Sequence, residues 1–483
     1  RGKIRVLEDN AMSIFRTDFE SLLDPSERGN LVQYQPAIQE AQELRVLEPE
    51  KDSNEAMIAA GLEEAFPPLI SIGKEWYRYS DGCWRKFTIE EYHPQIMELM
   101  PRKYKTARHV SSTVDHLQMK SQMPPGSVNG AYSIAHDGAI FLNVENGILT
   151  VGPGDDLELI PHDPGQHFSM SLSASYYPAA SAPLFMDVLD QCLPDKEDQR
   201  LLQLFCGNIL LPDARFETAL VCIGGAGTGK STLAEAVGGA LGQGVVMQSS
   251  LQQICSANGY HLPGLRHSLV NLGTELNATE MADSSVFKSL VSGEAIEARE
   301  IYGKPGVMRA TCKLWFLANN LPRFKHGTGA EVRRLRFLNF NRKPSKPDNT
   351  LKQQLQHEGN GIFNWMVQGL VELLQASQIP EGGAESISIK ERFKLNNDHV
   401  LAFIEECCEV GDDYKMSKES LYGAYVEFCE SHSTNCLEDN IFWRLLRERL
   451  PEIRDYRPRH GDGNRPRQCK GIELKPAFCL GIY

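Results

Sequence analysis

The chain has 483 residues, of which 41% are hydrophobic and 23% are charged. This composition is typical of a globular protein and excludes a collagen, a coiled-coil rod and a wholly disordered chain. No apolar run approaches the roughly 18 residues that a membrane helix needs, so we expect no membrane partner. The net charge of −13 excludes a protein that is basic over its whole surface, which confines any nucleic-acid contact to a channel or patch. The scattered cysteines form no CxxC pair and indicate ordinary thiols in a reducing cytoplasm.

The first half of the chain divides into two parts. Residues 1–65 are acidic, lack periodicity and read as a linker-like segment. Residues 66–212 are mixed in character. Within them, 139–144 and 147–151 predict two strands joined by a turn, and 184–211 predicts helix because apolar residues recur every three or four positions.

The second half contains a stretch of alternating strands and helices and a separate end module. From Glu217 to about Phe340, short apolar runs alternate with helical stretches, which predicts a parallel α/β core within a domain at 213–380. An amphipathic helix follows at 362–374. The segment from Pro380 to Gly383 marks a boundary. A final module occupies 396–483.

The strongest motif is a phosphate-binding loop that satisfies GxxxxGK[ST] in full. An apolar strand at 218–223 precedes it and a helix at 233–241 follows it. Glycines let backbone N–H groups curl around a phosphate, and the helix directs its positive end at the same anion. Lys230 is then expected to reach the β- and γ-phosphates, and Ser231 to hold Mg²⁺. The loop consists of Gly224, Gly225, Ala226, Gly227, Thr228, Gly229, Lys230, Ser231 and Thr232.

Two strands after the loop end in polar residues. The strand at 268–272 is followed by Glu275, a candidate for binding Mg²⁺ or polarising the attacking water, with Glu280 and Asp283 as competitors. The strand at 313–318 ends in Asn319, which can orient water or sense hydrolysis beside the γ-phosphate. Open α/β sheets bind ligands at the carboxyl ends of their strands, which is where these side chains are expected.

An arginine pair follows. Residues 331–340 alternate between charged and apolar, which predicts a strand with Arg333 and Arg334 at one end. In ring ATPases an arginine from a neighbouring subunit completes the site, and such a residue contributes about 10³–10⁵ in rate in GTPases. The alternative is a solvated basic edge strand.

Four features follow one another along the chain: the phosphate loop, Glu275, Asn319 and the pair Arg333 and Arg334. In this order they resemble the superfamily 3 helicases. They resemble more closely the helicase part of the phage and plasmid primase-helicases, a family that includes the poxvirus primase-helicase. The similarity runs from about Tyr79 to the C-terminus and is densest from Phe141 to Phe340. The further matching segments are 141–149, 159–162, 176–178, 204–210, 287–290, 293–294, 298–299 and 302–305.

The resemblance implies an AAA+-like P-loop ATPase core, an upstream mixed α+β domain with a helical collar, and a C-terminal winged-helix-like module. It implies a replicative helicase that uses ATP and Mg²⁺, assembles into a homo-hexamer and moves along single-stranded DNA, usually 3′ to 5′. Lys230 and Ser231 take the phosphate and metal roles, Glu275 becomes the catalytic acid and second metal ligand, and Asn319 becomes the sensor. Arg333 becomes the finger, with Arg334 as its alternative.

The resemblance also places Lys304 in a pore hairpin that grips the DNA backbone; otherwise Lys304 is a turn residue before Pro305. In a ring, Arg299, Arg309 and Lys313 can line the channel with it while the outside stays acidic. Such phosphate contacts would be neutral to sequence and sensitive to salt.

The final module is locally basic. Helices are predicted at 400–408, 418–430 and 440–450, followed by a Gly-rich hairpin, an order that resembles a winged helix. Residues 441–475 contain ten Lys or Arg and five Asp or Glu, a net of +5 in an acidic chain. We therefore predict a DNA face there, with contacts from Arg444, Arg447, Arg457 and Arg459.

Other functions share parts of this pattern. The closest rival is a replication initiator that binds an origin as an ATP-bound ring without processive unwinding. A small-molecule kinase would need a lid with substrate-binding arginines and no basic end module, and a transporter ATPase would end its next strand in Asp-Glu, not in Asn319. The first 65 residues show no primase pattern, so we expect a primase domain or protein upstream, forked DNA as substrate, and a mobile element in a bacterial cytoplasm as the source.

Overall fold

A computed structural model describes residues 66–100, 102–154, 156–256, 259–274, 284–299, 305–321, 329–344, 348, 350–432, 434, 436–456 and 467–476. The chain forms two compact units. Of the described residues, the first unit contains 66–76 and 87–123, and the second contains 77–86 and everything from Pro124 onward.

The first unit is small and mainly helical. Strand β1 (Leu69–Ile72) pairs in parallel with β4 (Gln122–Met123), and helices α1 (His93–Leu99) and α2 (Ala107–Ser121) lie between them in sequence. Helix α2 begins where the Thr106 side chain accepts a hydrogen bond from a first-turn N–H group. Its buried residues recur at helical spacing and pack into a core of Trp76, Phe87, Ile89, Tyr92, Ile96, Met100, Val110 and Leu117.

The second unit begins with antiparallel strands. The hairpin of β2 (Glu75–Ser80) and β3 (Cys83–Phe87) lies largely in this unit. A four-stranded sheet then runs in the order β5-β6-β7-β8. The two strands predicted at 139–144 and 147–151 are confirmed as β6 and β7. These strands are β5 (Tyr132–Ile134), β6 (Ile140–Val144), β7 (Gly147–Val151) and β8 (Leu157–Ile160).

The helical stretch predicted at 184–211 is two helices, α3 (Pro183–Cys192) and α4 (Lys196–Ile209). Pro194 cannot donate a backbone hydrogen bond, and Asp195 caps α4 by accepting one from the N–H of Glu197 at 2.9 Å. Helix α4 packs against the helix at 359–375. The buried residues of α4 belong to the same hydrophobic core as one face of the sheet described next.

A five-stranded parallel sheet forms the centre of this unit, in the order β10-β11-β14-β9-β15. The strands predicted before the phosphate loop, before Glu275 and before Asn319 are confirmed as β9, β11 and β14, with small shifts at their ends. All four neighbouring pairs are parallel. The strands are β9 (Ala219–Ile223), β10 (Val246–Met247), β11 (Val270–Thr274), β14 (Lys313–Ala318) and β15 (Leu335–Asn339).

Helices cover both faces of this sheet, so most of the strand residues are apolar, as a parallel sheet requires. Along β9, Leu220 and Cys222 face one core, while Ala219 and Val221 face the other. The first core also takes in the helices before residue 212, so the hydrophobic interior is continuous across that position. The helices of this region are α5 (Lys230–Leu241), α6 (Leu251–Ile254), α7 (Ser285–Val291), α8 (Gly329–Arg334), α9 (Leu351–Gln356), α10 (Gly359–Gln375) and α11 (Ala384–Asn397).

One prediction for this region was wrong in part, and one pair of strands lies outside the parallel sheet. The prediction of a strand over 331–340 was wrong for its first four residues, because α8 extends to Arg334 and β15 begins only at Leu335. Strands β12 (Ala295–Arg299) and β13 (Pro305–Arg309) form a separate antiparallel pair. Short 3₁₀ helices occur at Ile89–Tyr92, Arg102–Tyr104, Pro164–Gln166, Gln243–Val245 and Pro263–Arg266.

The end of the chain has its own hydrophobic core, which contains the rings of Phe403, Tyr425 and Phe442. The three helices predicted there are confirmed, and an antiparallel sheet in the order β16-β18-β17 accompanies them. The elements are α12 (His399–Cys407), β16 (Cys408–Ser417), α13 (Lys418–Ser431), α14 (Asp439–Arg449), β17 (Arg454–Tyr456) and β18 (Gln468–Leu474). Among all helices of the described ranges, none combines the length and apolar character needed to cross a bilayer.

Candidate nucleotide-binding site

The phosphate-binding loop lies between β9 and α5, at the carboxyl edge of the parallel sheet. Gly227 and Gly229 have φ angles of 77° and 90°, in the left-handed region that favours glycine. A Cβ atom at Gly229 would also lie 2.2 Å from the Sγ atom of Cys192, the last residue of α3. The loop therefore needs glycine at 229 for two reasons, one conformational and one steric.

Lys230 is the first residue of α5 and is only 8% exposed. Its Nζ atom donates to the carbonyl oxygens of Gly224 and Gly225, the latter at 2.7 Å. Burial lowers the pKa of Lys230 from its ordinary value. The ammonium group therefore lies inside the curve of the loop on two weak neutral acceptors, which a phosphate oxygen would outcompete because it carries charge.

The hydroxyl-bearing residues of the loop differ in exposure. Thr228 is buried, and its hydroxyl donates to the carbonyl oxygen of Gly225 at 2.9 Å, which closes the loop. Ser231 is exposed and Thr232 is half-buried on the first turn of α5. A hard oxygen donor at an accessible position fits Mg²⁺, which binds few protein ligands and keeps several waters. Ser231 would be the residue that holds it, and the ion would neutralise charge between the β- and γ-phosphates.

Asn319 is exposed directly beside the loop. The N–H of Gly224 donates to the carbonyl oxygen of Ala318 at 3.1 Å, so Asn319 is the next residue after a direct backbone contact with the loop. Strand β14 lies between β11 and β9, and Thr274 at the end of β11 pairs in register with Leu317. Glu275 and its competitors Glu280 and Asp283 lie outside the described residues.

The strand that leads to Glu275 is fixed by a buried amide. Asn271 is fully buried; its Oδ1 accepts from the N–H of Ser249 at 2.8 Å, and its Nδ2 donates to the carbonyl of the same residue at 2.9 Å. This pair of hydrogen bonds mimics a strand ladder and fastens β11 to the segment that follows β10. The carboxyl end of β11 is thereby held in register with the loop.

Arg333 and Arg334 lie at the opposite edge of the sheet. They are the last residues of α8 and precede β15, which runs parallel to β9, whereas the phosphate loop follows β9. Five residues of β9 separate the two edges, or roughly 16 Å at about 3.3 Å per residue. The arginines are therefore remote from the phosphate loop of the same chain.

The two arginines have different surroundings. The side chain of Arg334 is 9% exposed, donates to Ser292 Oγ at 2.8 Å from Nη2, and lies 3.1 Å from Glu217 Oε2. The side chain of Arg333 is 65% exposed and lies 3.5 Å from the same carboxylate. Of the pair, Arg334 is built into the fold and Arg333 projects outward.

Sequence reasoning missed three residues of this region. Glu217 has a φ of 39°, a strained value for a non-glycine residue, and this conformation accompanies its contact with both arginines. Cys192 underlies the loop, and Glu331 is a buried carboxylate two residues before Arg333. The sequence signal for Glu217 was an acid just before a predicted strand, and the signal for Glu331 was an acid two positions before an arginine pair. Neither signal distinguishes a functional acid from an ordinary surface carboxylate.

The pair β12 and β13 carries exposed arginines near its free end and its base. Arg299 is exposed and pairs in register with Pro305, and Arg309 is exposed on the partner strand. Lys304 lies outside the described residues.

Lys313, expected in the channel, is instead buried: its Nζ donates to the carbonyl oxygens of Leu211, Asp213 and Thr311 at 2.7–2.9 Å. That prediction was wrong, because an ammonium group held by three carbonyls inside the protein cannot line a surface.

The arginines of the final module also divide by environment. Arg444 is exposed on α14. Arg447 is exposed and lies 3.0 Å from Asp455, while Arg449 lies 2.7 Å from Asp398, the residue that caps α12. Arg457 and Arg459 lie outside the described residues. The accessible basic surface of α14 is therefore centred on Arg444 and Arg447.

Two family models match parts of the chain. Residues 222–334 match a family of unknown function, DUF5906. Residues 395–472 match the family described as poxvirus D5 protein-like. No curated protein matches the chain in sequence.

Solved structures with a similar fold include two of the NrS-1 C-terminal region. The A form apo structure has a TM-score of 0.52 at 11% identity and covers 87% of this chain and 100% of that chain. The apo structure of residues 305–718 has a TM-score of 0.51 at 10% identity, with the same coverage. The fold is thus shared with these structures over most of this chain, and residues 395–472 are similar to the poxvirus D5 protein-like family.

Proposed function

We propose that this protein is a ring-forming ATPase of the superfamily 3 type that moves along single-stranded DNA and unwinds duplex DNA during replication. ATP would bind through its phosphates at the loop around Lys230, with Mg²⁺ on Ser231 and Glu275. Asn319 would orient the attacking water or sense the γ-phosphate. The products would be ADP and phosphate.

The observation that carries this proposal is the separation of the site into two halves. The phosphate loop and Asn319 lie at the carboxyl edge of the parallel sheet, and the exposed Arg333 lies at the amino edge. A guanidinium stabilises the transition state only when it reaches the transferring phosphoryl group. Because one subunit holds these groups at opposite edges, a complete site would form where the amino edge of one subunit meets the carboxyl edge of the next.

Such a contact is heterologous, since two different surfaces of the same chain meet in it. Repeated contacts of this kind close into a ring when the rotation between subunits permits. A hexamer is the ring size implied by the family resemblance. The β12–β13 hairpin, with Arg299 exposed near its free end, would then contact DNA phosphates in the channel, and Lys304 would act with it.

The end module supports a second DNA contact. Three helices with a three-stranded antiparallel sheet, and exposed Arg444 and Arg447 on α14, are consistent with a winged-helix-like reader of duplex DNA. This module also favours the second candidate, an initiator ring that holds an origin without processive unwinding. The two candidates differ in whether ATP turnover separates strands beyond the binding site.

A strand-displacement assay on forked DNA, with and without ATP, separates them. The helicase proposal predicts ATP-dependent displacement that grows with time over long duplexes, and images of protein with single-stranded DNA should show closed rings. Displacement limited to a short origin-proximal segment would favour the initiator. Displacement without ATP would contradict both.

A further inference from the structure

Helix α7 lies between three parts of the proposed ATPase: the segment that contains Glu275, the β12–β13 hairpin and helix α8. It begins at Ser285, after the segment that contains Glu275, and ends at Val291, just before the β12–β13 hairpin. It also packs against α8, the helix that ends in the arginine pair. A residue that fixes α7 to α8 would therefore link the finger to the hairpin.

The first link is a buried carboxylate. Glu331 of α8 is only 1% exposed, accepts a hydrogen bond from Ser284 Oγ, and lies 3.3 Å from Lys288 Nζ. Ser284 occupies the capping position of α7, yet its side chain makes no cap hydrogen bond there. A carboxylate this deeply buried is stable only when it is paired, so removal of its charge partner carries a large cost.

The second link is at the other end of α7. Ser292 accepts from Arg334 at 2.8 Å, and Arg309 of the hairpin donates to the carbonyl oxygen of Gly293 at 3.5 Å. Helix α8 is thus attached to both ends of α7, and the hairpin is attached to the end of α7 nearest to it. Two attachments per helix favour movement of α7 and α8 as one body.

We propose that Glu331 is a positioning residue that holds Arg333 in the orientation needed to reach a neighbouring subunit, and that couples this orientation to displacement of the β12–β13 hairpin by DNA. The proposal rests on the proposed function, because it requires a finger that acts between subunits. Glu331 lies on α8 at the amino edge of the sheet, opposite the phosphate loop, so it would act through α7 and α8 and not on the nucleotide directly.

The first variant is Glu331→Gln, which retains an acceptor for Ser284 and removes the charge facing Lys288. We expect unchanged nucleotide affinity and ring assembly, and a loss of about tenfold in the stimulation of ATP turnover by single-stranded DNA. Glu372→Gln is the matched control, because Glu372 forms a surface ion pair with Arg200 at 2.7 Å on helices that pack into the other core of the sheet, and full stimulation is expected.

A mixing experiment separates positioning from general damage. Lys230→Ala subunits cannot hydrolyse ATP but have intact α7 and α8. When they are mixed with Glu331→Gln subunits, the variant's phosphate loop meets an intact finger, and turnover per Glu331→Gln subunit should rise. A variant that is merely misfolded would not recover in this way.

If Glu331→Gln loses nucleotide binding, the comparison moves to Lys288. Lys288→Arg retains the charge and should keep stimulation, whereas Lys288→Met should lose it. Full stimulation in both Glu331→Gln and Lys288→Met would overturn the inference while the proposed function stands. Wild-type protein that hydrolyses ATP indifferently to DNA would overturn the proposed function, and this inference with it.

Discussion

Replacement of Arg333 and Arg334 by alanine should give opposite results. Arg334→Ala removes the hydrogen bonds to Ser292 and an ion pair with Glu217 at 3.1 Å. Hydrogen bonds from a charged group contribute about 1.5–3 kcal/mol. The ion pair adds less than about 1 kcal/mol, because Glu217 is 44% exposed and solvent screens it. We therefore expect Arg334→Ala to lower the free energy of unfolding by about 2–3 kcal/mol.

Arg333→Ala should leave stability almost unchanged, within about 0.5 kcal/mol, because its side chain is 65% exposed and its ion pair with Glu217 is long, at 3.5 Å. It should instead lower turnover by about 10³, equivalent to roughly 4 kcal/mol of transition-state stabilisation, with nucleotide affinity retained. Denaturant unfolding and steady-state ATPase assays on both variants measure the two effects. An Arg333→Ala protein that turns over ATP at the wild-type rate, or one that is strongly destabilised, would refute this division of roles.

Three further predictions address other parts of the chain. Lys230→Ala should abolish ATP hydrolysis, and retained turnover in a purified sample would contradict the assignment of the phosphate site. Arg444→Ala should weaken duplex binding and reduce the salt slope by about one, measured by binding titrations at several salt concentrations, while Arg449→Ala should mainly destabilise the end module because it removes the partner of Asp398. Burial lowers the pKa of Lys313 from 10.5 to about 8, so the unfolded chain binds more protons between those values. The stability of wild type relative to Lys313→Met should therefore rise as pH increases from about 8 to 10.5, and a flat difference across this window would show that the three carbonyls keep the ammonium charged.

Much of the parallel core could be predicted because its signals are local. The strands at 219–223 and 314–318 are continuous apolar runs, which a sheet covered on both faces requires. The phosphate loop has a fixed spacing that few other structures share. The position of Asn319 beside the loop then follows from the rule that parallel strands present their carboxyl ends at one edge.

Other features depend on contacts between distant residues, which a sequence pattern does not record. Arg333 and Arg334 are identical in local pattern and are separated only by burial against Ser292 and Glu217. Lys313 looked like a channel residue because lysines are usually exposed, and only the three surrounding carbonyls explain its burial. Helix α11 was missed because its apolar residues are few, although Ile389 and Phe393 pack into the core of the sheet.

The central claim is that a nucleotide is hydrolysed between two subunits, one supplying Lys230 and the other Arg333. Its most direct test is to mix equal amounts of Lys230→Ala and Arg333→Ala proteins, each expected to be inactive alone, and to measure ATP turnover in the presence of single-stranded DNA. Recovered turnover is expected, because some interfaces in mixed rings combine an intact phosphate loop with an intact arginine. Mixed rings that form and remain inactive would contradict it.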